Sequence, residues 1–586
     1  MYIIKRQLLL PKQGYAANAL LKIDYKKYGL IALEILVIAL GWYLYQCHQY
    51  TTTSDSPPDI DKLYWARVAE YLNSTGMESS YNIYTVFGKY IGTTPYHYFE
   101  IWICAAMART YNLLYFEAYV KMLCPVFLTI LSVGIIAMFK MYLKTNVVNL
   151  LLPFLLFMYG VNPSFIQPDH FIRFLRPQDV FLINPIEENK LLPYYLIIIF
   201  FFLLYKKSLP LAIIILSSLA IISITLSIPV IGGIVLLCSY LFFFDRKTKK
   251  SDCYFILSFV AVLALYVFLF YHQTGMKEQD RGSVIGIFSD LKMMATYGIK
   301  LSIAKTLDLF YINLVYIGFL IFLFYRRKKA LEDGGILLKL LASVYIVSIL
   351  ALGFLYQMTD SYQLFFNIVI PFLHILTIWG LIYFLAEMPK NYFYTIVLFL
   401  SVTLLCGYNV YTDRNVRADW SRDKPYSETY LNSVDSAISI PGLNPMGVYF
   451  KGGQADYPAY YTTYTLGFPL GNYMKFMKSY FNTVCLTVFD IPINSNDSIY
   501  YKGTNIIYNS VKFAITSSLF YKYVEEQKTH NEFISIPQSQ LDFIKQYHIQ
   551  YGIISRHAQL ALEINAIISK TIVDSTSGEK FVFFKY

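Results

Sequence analysis

The chain has 586 residues, 56% hydrophobic, 18% aromatic and only 15% charged, with a formal net charge of +11. Soluble domains carry roughly 25% charged residues, so a chain soluble along its whole length is excluded. Its Lys and Arg residues fall in short clusters between apolar runs, a membrane pattern rather than a nucleic-acid face.

Runs of about 20 apolar residues predict about eleven transmembrane helices. They lie at 29–46, 118–139, 146–162, 191–205, 209–226, 228–244, 253–271, 309–325, 336–356, 364–386 and 392–411. With the N-terminus inside, every short inside turn is basic. Lys26 and Lys27, Lys140 and Lys144, Lys206 and Lys207, the run "DRKTKK" (245–250), the run "YRRKK" (325–329) and Lys390 all fall there. The long connections 47–117, 163–190 and 272–308, the turn at 357–363 and everything from 412 onward then face the extracytoplasmic side.

The first long connection opens with "SDSPPDIDKLYWARVAEYL" (54–72). Asp55 reads as a loop charge. Pro57–Pro58 followed by Asp59 is a helix-start signal. From Asp61, an apolar stripe of Leu63, Ala66, Val68, Ala69 and Leu72 predicts a surface helix. Asp59 and Asp61 then either cap that helix or do chemistry. Later in the same connection, "GTTPYHYFEIWICAAMARTY" (92–111) carries His97 and Glu100 into a second apolar helix.

The next outside connection holds "QPDHFIRFLRPQD" (167–179), with His170, Arg173 and Arg176. The arginine spacing puts both on one helical face. "KEQDRG" adds Arg281, and "MTDSYQLFFN" (358–367) sets Asp360 and Gln363 at a span boundary. Each has a plain alternative: a solvated charge, a helix cap, or a side chain reaching for headgroups. Beyond residue 412 the long apolar runs stop. "MGVYF", "TNIIYN" and "QYGIIS" read as short strands, and "SQLDFIKQYHI" as a helix before a strand, in an α/β domain over 412–586. The seven cysteines include no CxxC pair and read as small core residues rather than a disulfide or zinc framework.

A basic N-terminus and one span lead into a long outside loop. The loop carries acidic residues into a helix with Asp61, Tyr64, Trp65, Ala66, Ala69, Leu72 and Gly76, and closes on "TPYHYFEIW". This layout resembles the GT-C class of integral-membrane glycosyltransferases, the superfamily of dolichyl-phosphate-mannose and aminoarabinose transferases. The resemblance implies a helical polytopic domain at 1–411 with a C-terminal extracytoplasmic α/β domain at 412–586. It implies sugar transfer, with inversion, from a polyprenyl-phosphate donor to an extracytoplasmic glycan, lipid or protein, on the outer face of a bacterial inner membrane. Many relatives place Asp-Glu or Asp-Asp at the loop start. Here Asp61 is followed by Lys62, which leaves Asp59 and Asp61 as alternatives for the catalytic carboxylate. No WWDxG-like motif of oligosaccharyltransferases is present.

The residues fit that chemistry. A carboxylate takes the proton of an acceptor hydroxyl, the transition state is oxocarbenium-like, and the phosphate leaving group calls for cations. Asp59 and Asp61 are the base candidates and the ligands of an optional divalent cation, Mg or Mn. His97, Glu100, His170, Arg173, Arg176, Arg281, Asp360 and Gln363 are the substrate and lipid-phosphate contacts. The rival classes are an O-antigen polymerase or ligase, a transporter or flippase of lipid-linked glycans, and a membrane scaffold. No internal repeat favours a transporter.

Overall fold

The computed structural model describes residues 25–51, 65–66, 68–69, 72–73, 76, 98–113, 115–142, 191–245, 249–273, 298–355, 363–387, 400, 404, 427–438, 446–450, 482–485, 519–554, 556, 558–576 and 578–586. The protein is a mostly helical, polytopic membrane protein. Among the described residues, six helices are long and apolar enough to cross a membrane.

Helix α1 (Tyr25–Thr51) comes first. Helical positions 65, 66, 68, 69, 72 and 73 and then α2 (Tyr98–Tyr111) follow it, and α3 (Cys124–Tyr142) is entered through a π-helical turn at Ala118–Leu123. Next are α4 (Leu192–Leu204), α5 (Leu209–Ser217), α6 (Ile224–Phe244) and α7 (Lys250–Gln273). Helices α8 (Ile299–Ile312) and α9 (Leu314–Arg326) meet at Asn313, where the backbone leaves helical angles. Helix α10 (Lys328–Phe354) and α11 (Gln363–Glu387) complete this part.

Nine of the eleven predicted spans fall on apolar helices. Three of these helices are shorter than a bilayer crossing: Leu192–Leu204, Leu209–Ile222 and Tyr316–Arg326. The 13 residues of α4 rise only about 20 Å at 1.5 Å each. The spans predicted at 146–162 and 392–411 lie outside the described residues, apart from Leu400 and Leu404.

Helix α11 is the hub. It packs on α3, α4, α6, α9 and α10, and 94% of its apolar window is buried in protein, against 6% for α1. Lipid tails are as apolar as leucine, so burial between helices rests on close packing, and small residues supply it. On α6, a Cβ added to Gly232 would lie 2.7 Å from Val347 Cγ1, and one on Gly233 would lie 2.8 Å from Val344 Cα. Gly334 of α10 faces Trp379 of the hub, and Gly380 faces Leu320 and Leu323. Gly233→Ala is therefore expected to cost about 1–3 kcal/mol by overpacking. Gly335→Ala, at a position with nothing within 4 Å, should leave stability unchanged or slightly raised. Thermal unfolding of the two detergent-solubilised variants checks this; equal midpoints would refute tight α6–α10 packing.

The C-terminal part builds a second hydrophobic cluster of its own. Helix α12 (Glu428–Ile438) precedes β1 (Met446–Phe450) and β2 (Asn482–Cys485). Helices α13 (Leu519–Thr529) and α14 (Ile536–Gln546) precede β3 (Tyr551–Ile554), and α15 (Leu562–Ala566) leads to β4 (Ile568–Val573) and β5 (Lys580–Phe584). The sheet order is β2-β1-β3-β5-β4, with β1 parallel to both β2 and β3, and β5 antiparallel to β3 and β4. "MGVYF" and "YGII" are strands β1 and β3, and most of "SQLDFIKQYHI" is in α14, whose N-cap Ser535 accepts from the Gln538 amide. "TNIIYN" lies outside the described residues.

Candidate functional site

The expected site residues divide sharply. Asp59, Asp61, His97, His170, Arg173, Arg176, Arg281 and Asp360 lie outside the described residues; Glu100 and Gln363 lie within them. The described residues give the helical frame in which Glu100 and Gln363 sit.

Part of that frame is the first loop. Trp65, Val68 and Ala69 are buried, and they share one hydrophobic core with Ile101, Cys104, Ala105 and Ala108 of α2 and with Tyr119 of the π turn. Asn73 binds the two helical segments together. Its Nδ2 donates to the Ala105 carbonyl at 2.8 Å and to the Tyr115 hydroxyl at 3.1 Å. Cys104 donates to the Tyr115 carbonyl at 3.4 Å, and burial, with Cys124 nearby, pushes its thiol well above the usual range. It is a packed core residue. Glu100 occupies the first turn of α2 and is 1% exposed. Carboxylates are buried this deeply only where polar groups hold them.

A second part of the frame lies where α10 ends and α11 begins. Gly298 approaches Gly353 so closely that a Cβ on Gly298 would strike the Gly353 carbonyl. From there α8 runs antiparallel along α10. Ser302 Oγ donates to the Ile349 carbonyl at 3.1 Å, and the Tyr345 hydroxyl donates to Thr306 Oγ1 at 3.0 Å. This pairing sets Lys305 about two turns in from the bundle end. Lys305 is buried, with its Nζ 5.6 Å from the centroid of the Phe366 ring. Gln363 opens α11, and one turn later Asn367 Nδ2 donates to Gln363 Oε1 at 3.3 Å; both are buried. A buried lysine thus packs on Phe366, the neighbour in sequence of the buried Asn367 at this end of the hub.

Further down the hub, Tyr195 and His374 share a 3.0 Å hydrogen bond, and Tyr316 stacks on the imidazole with centroids 5.5 Å apart. Gln363, Asn367, His374 and Thr377 fall within one stripe of α11 at 100° per residue. His374 is about 16 Å along the axis from Gln363, and all four are buried.

Reading the sequence alone missed Lys305, Asn367 and His374. Lys305 follows "YGIKLSIA" in a stretch taken as loop up to 308. The signal available was the helical spacing of Ile299, Ser302, Ile303 and Thr306 around it. Among the described residues no group of three or more His, Cys, Asp or Glu side chains could hold a metal ion, and Asp59 and Asp61 lie outside them. No family model, no curated protein and no solved structure matches this chain.

Proposed function

We propose that this protein is a membrane glycosyltransferase of GT-C type, moving a sugar from a polyprenyl-phosphate-linked donor to an extracytoplasmic acceptor. One observation supports the reading most. The two first-loop segments that carry the resemblance, around Trp65 and along α2, pack into the same core as the spanning helices. A tether has no need of that packing; a loop that positions a catalytic carboxylate against a lipid-binding bundle does.

In this reading Asp59 or Asp61 takes the proton of the acceptor hydroxyl. The acceptor oxygen bonds to the anomeric carbon from the face opposite the phosphate. The bond from that carbon to the phosphate oxygen breaks, and its electron pair leaves with polyprenyl phosphate. His170, Arg173, Arg176 and Arg281 supply positive charge to that leaving group. His97, Glu100, Asp360 and Gln363 are, in the same reading, further contacts to the substrate and the lipid phosphate. In this reading the resemblance places the chain in a bacterial inner membrane, and the Lys and Arg distribution supports an orientation with residues 412–586 outside.

Lys305 joins this set as a cation for the donor phosphate. Lys305→Gln is expected to raise KM for the donor about 10–100-fold, the worth of one hydrogen bond to a charged group. Unchanged KM and kcat together with a lowered thermal midpoint would instead make Lys305 a packing residue.

The reading is tested by transfer of radiolabelled sugar from a polyprenyl-phosphate donor pool in membranes carrying the protein, against membranes without it. Protein-dependent transfer supports it. The polar stripe on α11 favours a second reading, a carrier of lipid-linked glycans. Protein-dependent movement of such a lipid between leaflets, without glycosidic product, would select that alternative.

A further inference from the structure

We propose that the end of the bundle where α6 stops and α7 begins seats the headgroup of an acidic glycerophospholipid, with Lys339 as the contact to its phosphate. Helices α6 and α10 run antiparallel. Gly232 lies against Val347, Gly233 against Val344 and, two turns on, Tyr240 against Lys339. The Lys339 ammonium stands 4.8 Å from the centre of the Tyr240 ring. Beyond Asp333, Lys339 is the one charged residue of α10. It lies nine residues, or about 14 Å, inside the apolar window that starts at Ala330.

Lys339 belongs to the outward stripe of α10. Gly335, Lys339, Ala342, Ile346 and Leu350 follow at three- and four-residue spacing; the last three are exposed and Lys339 is half-buried. A cation placed among apolar side chains that face lipid is costly until an anion meets it. The Tyr240 ring offsets part of that cost. Among the described residues no carboxylate pairs with Lys339. Asp333 is held by Lys206 at 3.0 Å, and Glu332 lies about 10 Å away along the helix axis. Helical side chains lean toward the N-terminus of their helix, which carries this lysine toward the basic end of the bundle. Gly335 is one turn nearer that end on the same stripe, and nothing lies within 4 Å of a Cβ added there. A notch is thus open beside the path of the ammonium.

The surroundings of the notch suit a lipid. Tyr240 packs on Phe244 with centroids 5.6 Å apart, and Tyr240, Phe243, Phe244 and Tyr254 are all exposed. On the other flank of α6, the Lys250 ammonium lies 4.9 Å from the centre of the Phe242 ring, which in turn touches Phe243 and Tyr254. Lys250 also has no ion pair among the described residues. Exposed rings at the end of apolar helices meet acyl chains just below the headgroups. Two cations without acids flank these rings. A lipid of net negative charge complements them, whereas a zwitterionic lipid brings a cation of its own.

The inference holds whichever face of the membrane this end meets, so it stands apart from the transferase reading and from the orientation. Full-length protein in mild detergent is titrated with dioleoylphosphatidylglycerol and separately with dioleoylphosphatidylcholine, and bound lipid is counted by native mass spectrometry. The first phosphatidylglycerol is expected to bind about fivefold tighter than phosphatidylcholine, the contribution of one basic residue at a charged surface. Lys339→Gln should lose that preference and Lys339→Arg should keep it. Lys528→Gln, which removes an equal charge from the C-terminal part, should leave it as in wild type. Equal affinity for the two lipids in wild type would overturn the proposal. So would a preference that survives Lys339→Gln, or one lost equally in Lys339→Arg, since the charge would then not be its cause.

Discussion

Asparagine in place of the catalytic aspartate is expected to lower sugar transfer about 10²–10⁴-fold, the usual contribution of a positioned general base. Asp59→Asn and Asp61→Asn separate the two alternatives. The amide keeps the size of the side chain and its carbonyl oxygen, so it still caps a helix. It cannot accept a proton near neutral pH. A cap therefore survives the substitution and a base does not, and that difference gives the assay its meaning. Membranes holding matched amounts of wild type and each variant are supplied with radiolabelled polyprenyl-phosphate sugar, and the initial rate of transfer is measured. Collapse of the rate in one variant names the base. Rates equal to wild type in both would leave these aspartates as caps and remove the proposed mechanism.

Asp574→Ala should destabilise the C-terminal part by about 3 kcal/mol, the range for hydrogen bonds to a charged group. Asp574 is fully buried, and its Oδ1 accepts from the Ser427 amide at 3.0 Å and the Ser427 hydroxyl at 2.6 Å. Ser427 Oγ in turn accepts from the Tyr430 amide at 3.3 Å, capping α12. The Tyr430 hydroxyl donates to Glu579 Oε1 at 3.1 Å, while the Asp574 amide donates to the Glu579 carbonyl at 2.8 Å. One turn of the β4–β5 hairpin thus fastens a helix nearly 150 residues earlier in the chain. Removing the carboxylate leaves the half-buried Ser427 donors without that acceptor. Asp574→Asn keeps one acceptor oxygen and should cost less than alanine. The measurement is protease susceptibility of residues 427–586 in the intact protein across a temperature series. An alanine variant as resistant as wild type would show that the hairpin does not hold α12.

The first loop and the C-terminal strands were legible in the sequence for different reasons. Ala66, Val68 and Ala69 belong to the apolar stripe expected of a surface helix, and all three are buried; Trp65, outside that stripe, is buried as well. "MGVYF" and "YGII" are short β-rich runs between turn residues, and they form strands. The order of those strands was not legible. Residues 446–450 pair with 482–485 on one side and 551–554 on the other. Such pairings across 30 to 100 residues leave no mark in any local window. The central place of β1, with a parallel neighbour on each side, exists only once the sheet is assembled. Of the expected site, Glu100 and Gln363 are seen to be buried, a property their sequence neighbourhoods did not state.

What the sequence by itself determined is the medium and the class: few charges, long apolar runs, basic turns, and a change of composition after 411. Only the tertiary structure decided which of those runs is the hub. Helices α1 and α11 both meet the same standard for length and apolarity, yet α1 is left almost bare and α11 is enclosed. Transfer from water into lipid and transfer from water into protein favour the same side chains, so apolarity cannot tell the two apart. The choice falls to shape. Gly334 beneath Trp379, and Gly380 beneath Leu320 and Leu323, let neighbouring helices close on that end of α11, and Gln363, Asn367 and His374 are buried along its length.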